Sequence, residues 1–230
     1  FDRLHATAVR NGQVIRAEAT VGAGLPVIDT LDILLSTGDQ LHSARGCLSG
    51  TLGYLMGELE HGSRFSEAVR RAVDLGYTEP DPVADLSGVD VARKATILAR
   101  LAGFPSASRP VQLTGLVDAQ HAGMALPDLY AMLETMDEQL KQQVETAHAE
   151  HKVLRFVAAV EPDTITVAPV AVPRDSALGT LSGSDNMIVF RSDRYNDRPL
   201  VITGPGAGID VTAMGVLGDI LRIAAERSRP

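Results

Sequence analysis

One lysine and four carboxylates fall within residues 76–98, GYTEPDPVADLSGVDVARKATIL, and these are the groups best placed to do chemistry. Asp90 and Lys94 are four residues apart, so on a helix they share one face about one turn apart. Glu79, Asp81 and Asp85 precede them in a segment that Pro80 and Pro82 hold extended. Ser87 and Gly88 then open a helix that runs through Val89, Ala92, Ala95, Ile97 and Leu98. An acidic loop feeding such a helix can hold an amino acid and move a proton. The plain alternative is a surface pair worth roughly 0.3–0.5 kcal/mol. Two observations weigh against it. The helix around the pair is mostly apolar, so little of it can face water. The chain also has only three lysines, Lys94, Lys141 and Lys152, against eighteen arginines. An amine can give up a proton near neutral pH in the right surroundings, and a guanidinium cannot.

The segment GYTEPDPVADLSGVDVARK resembles the signature of homoserine dehydrogenases. So do VGAGLPVIDTL at residues 21–31, GCLSGTLGYLM at 46–56 and RYNDRPLVITGPGAGIDVTAMGVLGDIL at 194–221, in the same order. The similarity covers essentially the whole chain. It is to the C-terminal part of bifunctional aspartokinase–homoserine dehydrogenases and of short, fungal-type enzymes. The implied reaction is NAD- or NADP-dependent interconversion of L-homoserine and L-aspartate 4-semialdehyde, in the pathway to threonine, methionine and isoleucine. On this resemblance Lys94 exchanges the hydroxyl proton, and Asp90 sets its charge and contacts substrate. Glu79, in a partly buried loop, pairs the substrate ammonium. Asp85 touches or backs the substrate, and Thr51 and Tyr77 line the pocket. Asp81 is left without a role. Gly208 and Gly206 meet the nicotinamide cofactor. A monovalent cation such as sodium binds Glu18 by side chain and Val21, Ala23 and Leu25 by main-chain oxygen, in keeping with the oxygen ligands hard cations take. A homodimer forms through the sheet. The bland readings stay open beside these: Glu18 as an exposed strand residue, residues 21–25 as a tight turn, and residues 204–208 as a strand-to-helix turn without a ligand.

Composition sets the outer bounds. With 230 residues, 45% of them hydrophobic and 22% charged, the chain has the make-up of a soluble globular protein. A net charge of -8 argues against nucleic acid as a partner. No apolar run approaches the ~20 residues that span a bilayer, and no signal-like segment opens the chain. The lone Cys47 rules out an internal disulfide and fits a reducing, cytoplasmic setting. It reads as a small buried residue, because no partner would activate it as a nucleophile.

The expected fold is α+β, a mixed or antiparallel sheet with helices packed on one face. Residues 4–17 mix strand and loop signals around a hairpin-type Asn11-Gly12 turn. A helix covers 27–35, a strand 41–49, and a helix opens at Gly50-Thr51 with Ser49 or Thr51 as its cap. Ser66 is a plausible cap for a helix at 66–75. Residues 127–152 hold one acidic helix and a polar linker carrying His148 and His151, which lack a third ligand for a metal. Hairpin strands are expected at 153–160 and 164–172, and two more at 187–191 and 199–203, with a small polar loop at 183–186 before them. A final helix runs from 211 to 225. The division is a substrate-binding and dimerisation domain, 1–203, and a C-terminal loop and helix, 204–230, that returns to a nucleotide-binding domain.

The chain begins at Phe1 and holds no strand followed by a G-x-G-x-x-G/A turn of the dinucleotide-binding type. It therefore reads as part of a longer polypeptide, and a dimerisation or regulatory module without its own activity is the competing class. These residues by themselves are expected to bind dinucleotide weakly and turn over little. Homoserine-dependent reduction of NADP by this segment alone would contradict that.

Overall fold

The computed structural model describes residues 2–227. In chain order the elements are α1 (Asp2–Arg10), α2 (Val27–Ser36), β1 (Leu41–Cys47), α3 (Gly50–Glu60), α4 (Phe65–Asp74), α5 (Pro82–Leu86), α6 (Val89–Leu101), β2 (Gln112–Leu113), α7 (Leu126–Glu134), α8 (Asp137–Ala149), β3 (Lys152–Val160), β4 (Ile165–Pro173), α9 (Ala177–Thr180), β5 (Asp185–Ser192), β6 (Leu200–Pro205) and α10 (Ile209–Arg227). The six strands form one sheet in the order β2-β4-β3-β1-β5-β6. Every pairing is antiparallel except the short β2 beside β4, so the sheet is mixed.

Alternation along β3 separates the two faces. Leu154, Phe156, Ala158 and Val160 enter the main core, which α3, α6 and α8 cover. Val153 and Val157 point the other way, into a smaller cluster with Cys47, Val172, Leu178, Leu181 and Met187. The short α9 covers that second face at one end, so helices are not confined to one side. Its anchor is Arg155, only 5% exposed. All five guanidinium N–H groups are used: Nε donates to Leu178 O, Nη1 to Leu154 O and Glu60 Oε2, and Nη2 to Gly179 O and Leu181 O, at 2.8–3.2 Å. A buried cation is tolerable only when paired and bonded as fully as this.

The helices that carry the site follow their apolar spacing. On α4 the buried residues Phe65, Ala68, Val69 and Ala72 fall on one stripe. Ser49 caps α3, its Oγ accepting from Leu52 N at 3.2 Å. Helix α6 buries Val91, Ala92, Ala95, Leu98 and Ala99 against the sheet. Gly88 begins it in the left-handed region at φ 70°, with Phe156 packed where a side chain would be.

Four expectations need correction. Residues 2–10 are a helix, not strand and loop. Asn11-Gly12 ends it instead of joining a hairpin: Gly12 is left-handed at φ 61° and Gln13 N donates back to Ala8 O at 2.8 Å, a helix-stopping pattern. Pro82 is not extended but opens α5, because Asp81 caps it by accepting from Val83 N at 3.0 Å. Ser66 lies inside α4; its N–H and hydroxyl both donate to Asp137 at the start of α8, at 2.8 and 2.7 Å. Residues 127–152 hold two helices, α7 and α8, broken at Thr135-Met136, and Lys152 already belongs to β3.

Helix α10 packs against the turn at Glu18–Thr20. Asp219 Oδ2 accepts from Glu18 N at 3.0 Å, and Arg222 and Arg16 pair with Asp29 and Glu226. The helix also leaves large apolar side chains exposed, among them Ile209, Met214, Ile220 and Leu221.

Gly88→Ala should reveal how tightly α6 is seated. An added Cβ would lie 2.6 Å from Phe156 Cζ in a left-handed backbone. A loss of about 2–4 kcal/mol is expected from urea unfolding; a loss under about 1 kcal/mol would mean that Phe156 yields freely.

Candidate functional site

The site forms where β1 runs into α3. Leu48 follows the strand, and its carbonyl accepts from Lys94 Nζ at 2.9 Å. Asp90 Oδ2 lies 3.0 Å from the same nitrogen. Lys94 keeps 20% of its side-chain exposure and Asp90 keeps 61%. The pair is thus more than a solvated surface contact: the amine is drawn inward to a main-chain oxygen while its partner stays wet. An ammonium has three N–H donors. Two are engaged here, which leaves one for a bound molecule.

Beside it, Asp85 organises the acidic loop. Its Oδ2 accepts from Glu79 N at 2.7 Å, and its Oδ1 lies 3.3 Å from Thr51 Oγ1. Thr51 in turn donates to Tyr77 O at 2.6 Å, and the Tyr77 ring meets Tyr54 edge-on at 5.1 Å between centroids. Asp85 therefore ties residues 77–79 to the start of α3. Burial pushes its carboxyl above the ordinary value; the bonds from Glu79 N and Thr51 oppose this, and the charges of Glu79 and Asp90 add to it. Glu79 itself is exposed, not partly buried as expected, because the loop turns its side chain out while Asp85 grips its backbone. Tyr77 is 48% exposed. An open cleft of about 660 Å³ is lined by Glu79, Asp85, Asp90 and Arg93 among others.

Asp81 has a clear place after all. Besides capping α5, its Oδ2 accepts from Gly123 N at 2.8 Å and so ties this loop to residues 119–123. The Asp-Pro step before a short apolar run carried that signal, since Pro favours the first helical position and Asp the position before it.

Glu18 is buried, not an exposed strand residue. Its Oε1 and Oε2 accept from Ile28 N and Asp29 N at the start of α2, at 2.9 and 2.8 Å. Burial, with Asp29 nearby, pushes its carboxyl up to about 7. The adjoining turn is tight, with Gly22 and Ala23 both left-handed. Leu25 O already accepts from Val27 N at 2.7 Å. Each Glu18 oxygen keeps a lone pair beyond its helix bond, so an oxygen donor set of the kind a hard cation takes is chemically available here. Among the described residues no group of three or more His, Cys, Asp and Glu side chains could hold a metal. Cys47 is free and buried, and burial pushes its thiol up to about 12, as an inert residue requires.

The tail glycines lie across the sheet from β1. Met187 of β5 pairs with Cys47, and Asn186 pairs with Gly204. Asn186 itself was passed over in the sequence as part of a polar loop. It is the second residue of β5 and is buried, and a Cβ on Gly206 would lie 1.9 Å from its Cγ.

These features gather an inward-drawn amine, a main-chain oxygen and two exposed carboxylates at the end of β1 in an α+β domain. A homoserine dehydrogenase family model matches residues 26–221, and the chain belongs to that family. It is 41% identical over 242 residues to a homoserine dehydrogenase of Paracoccidioides brasiliensis, covering 97% of this chain and 63% of that protein. It is 44% identical over 218 residues to the chloroplastic bifunctional aspartokinase/homoserine dehydrogenase 1 of Zea mays, covering 93% of this chain and 24% of that one. Among solved structures, a Candida auris protein of unknown function superposes with a TM-score of 0.89 at 40% identity, over 96% of this chain and 64% of the other. A hyperthermophilic archaeal homoserine dehydrogenase in complex with NADPH gives 0.74 at 26% identity, over 98% of this chain and 60% of the other. The chain thus spans under two thirds of the fungal relative and about a quarter of the bifunctional one.

The raised carboxyl of Asp85 has a measurable sign. Its folded pKa lies above its ordinary value of 3.8, so its ionisation removes stability as pH rises from there through the folded value. Asp85→Asn lacks that titration. Urea unfolding at stepped pH should show wild-type stability falling relative to the variant over this interval, and a flat difference would mean an unperturbed carboxyl.

Proposed function

We propose that this chain is the substrate-binding part of an NAD(P)-dependent homoserine dehydrogenase, interconverting L-homoserine and L-aspartate 4-semialdehyde. The observation that carries the reading is the half-buried amine of Lys94, held by Leu48 O and Asp90 with one N–H left over. In the oxidative direction the substrate hydroxyl loses its proton to the neutral amine of Lys94 while its carbon gives up a hydride. In reverse the ammonium returns that proton to the carbonyl oxygen. A positioned acid–base group of this kind contributes about 10²–10⁴-fold. Asp90 holds the charged form of Lys94 in place. Glu79, free at the mouth of the cleft, pairs the substrate ammonium, with Asp85, Thr51 and Tyr77 fixing the loop that presents it.

The nicotinamide cofactor, NAD or NADP, supplies the hydride acceptor when bound, and Gly206 and Gly208 form this chain's side of its site. The NADPH complex of the archaeal relative supports a nicotinamide cofactor for the family. The cation reading places sodium between Glu18 and the main-chain oxygens of Val21, Ala23 and Leu25, where it would offset the buried carboxylate and brace the turn. The half-exposed apolar strip of β5 and β6, with Val189 and Val201, supports pairing of two copies through the sheet. The exposed apolar side of α10 suits a nucleotide-binding domain as its cover. Among the described residues no helix is long and apolar enough to cross a membrane. The reduced, buried Cys47 suits a cytoplasmic protein, and the reaction would serve threonine, methionine and isoleucine synthesis.

Lys94→Ala in the full-length protein tests the central role. A fall in kcat of about 10²–10⁴-fold is expected, with homoserine affinity changed only a few-fold, and Lys94→Arg should not rescue it because a guanidinium keeps its proton. A kcat within a few-fold of wild type, with substrate binding intact, would overturn the assignment. Loss of selective homoserine binding by wild type would instead favour a pure assembly module.

A further inference from the structure

Asn186 is 1% exposed, and neither Nδ2 nor Oδ1 has a hydrogen-bond partner. A buried carboxamide with every polar atom idle is expensive and rare. Its place is well defined. It shares a sheet face with Ile188 and Phe190, both in the main core, and its backbone carbonyl accepts from Thr203 Oγ1 at 3.2 Å. The carboxamide lies close against Gly206, where a Cβ would sit 1.9 Å from Cγ and 2.0 Å from Nδ2. Gly206 is not among the left-handed glycines, so its bareness is not a demand of the backbone. It is room for Asn186. On the neighbouring side, Ser184 O would meet a Cβ on Gly50 at 2.9 Å, which sets the start of β5 against the start of α3. Asn186 therefore occupies the seam between the 204–208 loop and the end of β1, where Leu48 holds Lys94.

We propose that Asn186 binds the carboxamide of a nicotinamide ring docked on the 204–208 loop. This rests on the cofactor reading above. A primary carboxamide offers one oxygen acceptor and one NH₂ donor, and another carboxamide answers both at once. Both halves of Asn186 are unsatisfied, so a ligand with a lone acceptor or a lone donor would leave one idle. The main chain of the 204–208 loop seals both idle atoms, so a bound ring reaches them by lifting that loop off Asn186. The pairing would fix which edge of the ring faces the substrate, and so place the reacting carbon toward Lys94.

The test uses the full-length protein and Asn186→Leu, which keeps the shape and removes both idle groups. The ligand-free melting temperature should hold or rise, since an unsatisfied amide is replaced by an apolar group of similar size. Affinity for NADP, read by fluorescence titration, should weaken about tenfold. For the acetylpyridine analogue, whose methyl ketone has no N–H to give, the two proteins should differ by much less. Equal affinity of both proteins for NADP would overturn the proposal, and so would the same loss with both dinucleotides; either would leave Asn186 as the seat of a trapped water or a support for the loop. Should Asn186→Leu not fold, Asn186→Ala decides on the same ratio of losses. Absence of NADP binding by wild type would sink the cofactor reading itself, which is a different result.

Discussion

A single amine held against the end of a strand sets the terms for the site. Lys94 Nζ bonds Leu48 O, and that bond joins α6 to the point where β1 becomes α3. A strand end is a place where a carbonyl is free to accept, because its ladder partner has run out. Bringing an ammonium there satisfies the carbonyl and pulls the charge away from bulk water. It also fixes the amine to an interior strand, since β1 lies in the sheet between β3 and β5. The helix can deliver Lys94 only because Gly88 lets it start hard against Phe156.

Around that amine the carboxylates divide their labour by burial. Asp85 is inward and spent on backbone and hydroxyl partners; Asp81 is spent on the cap of α5 and on Gly123. Glu79 and Asp90 stay exposed. The inner acids shape the loop and the outer ones remain available to a charged ligand. The same logic holds at Arg155, where a fully bonded buried cation pins α9 to the second face of the sheet.

Much of this was legible in the sequence, and the exceptions have physical causes. The hairpin of β3 and β4, the start of α3 at Gly50 and the helix through Lys94 all showed because apolar period and turn residues agreed. The strand-like reading of residues 4–17 failed because Leu4 and Val9 are exposed on α1, so its apolar residues mark no buried stripe. Ser66 misled because its oxygen is claimed by Asp137, 71 residues away, instead of by its own helix. The exposure of Glu79 was hidden for the same reason: a loop's outward turn is set by what grips its backbone, here Asp85. Asn186 left no mark at all, because an unsatisfied amide becomes visible only once its neighbours are in place.

Helix α10 meets residues 23–24 main chain against main chain. Val211 O would stand 2.3 Å from a Cβ on Gly24, and Ala23 O 3.1 Å from one on Gly215. Two backbones meshed this closely behave like gear teeth, since neither can turn without displacing the other. Asp219, bonded to Glu18 N, adds a third tooth to the mesh. Whatever presses on the outer side of the helix is thereby transmitted straight to the turn that carries the buried acid.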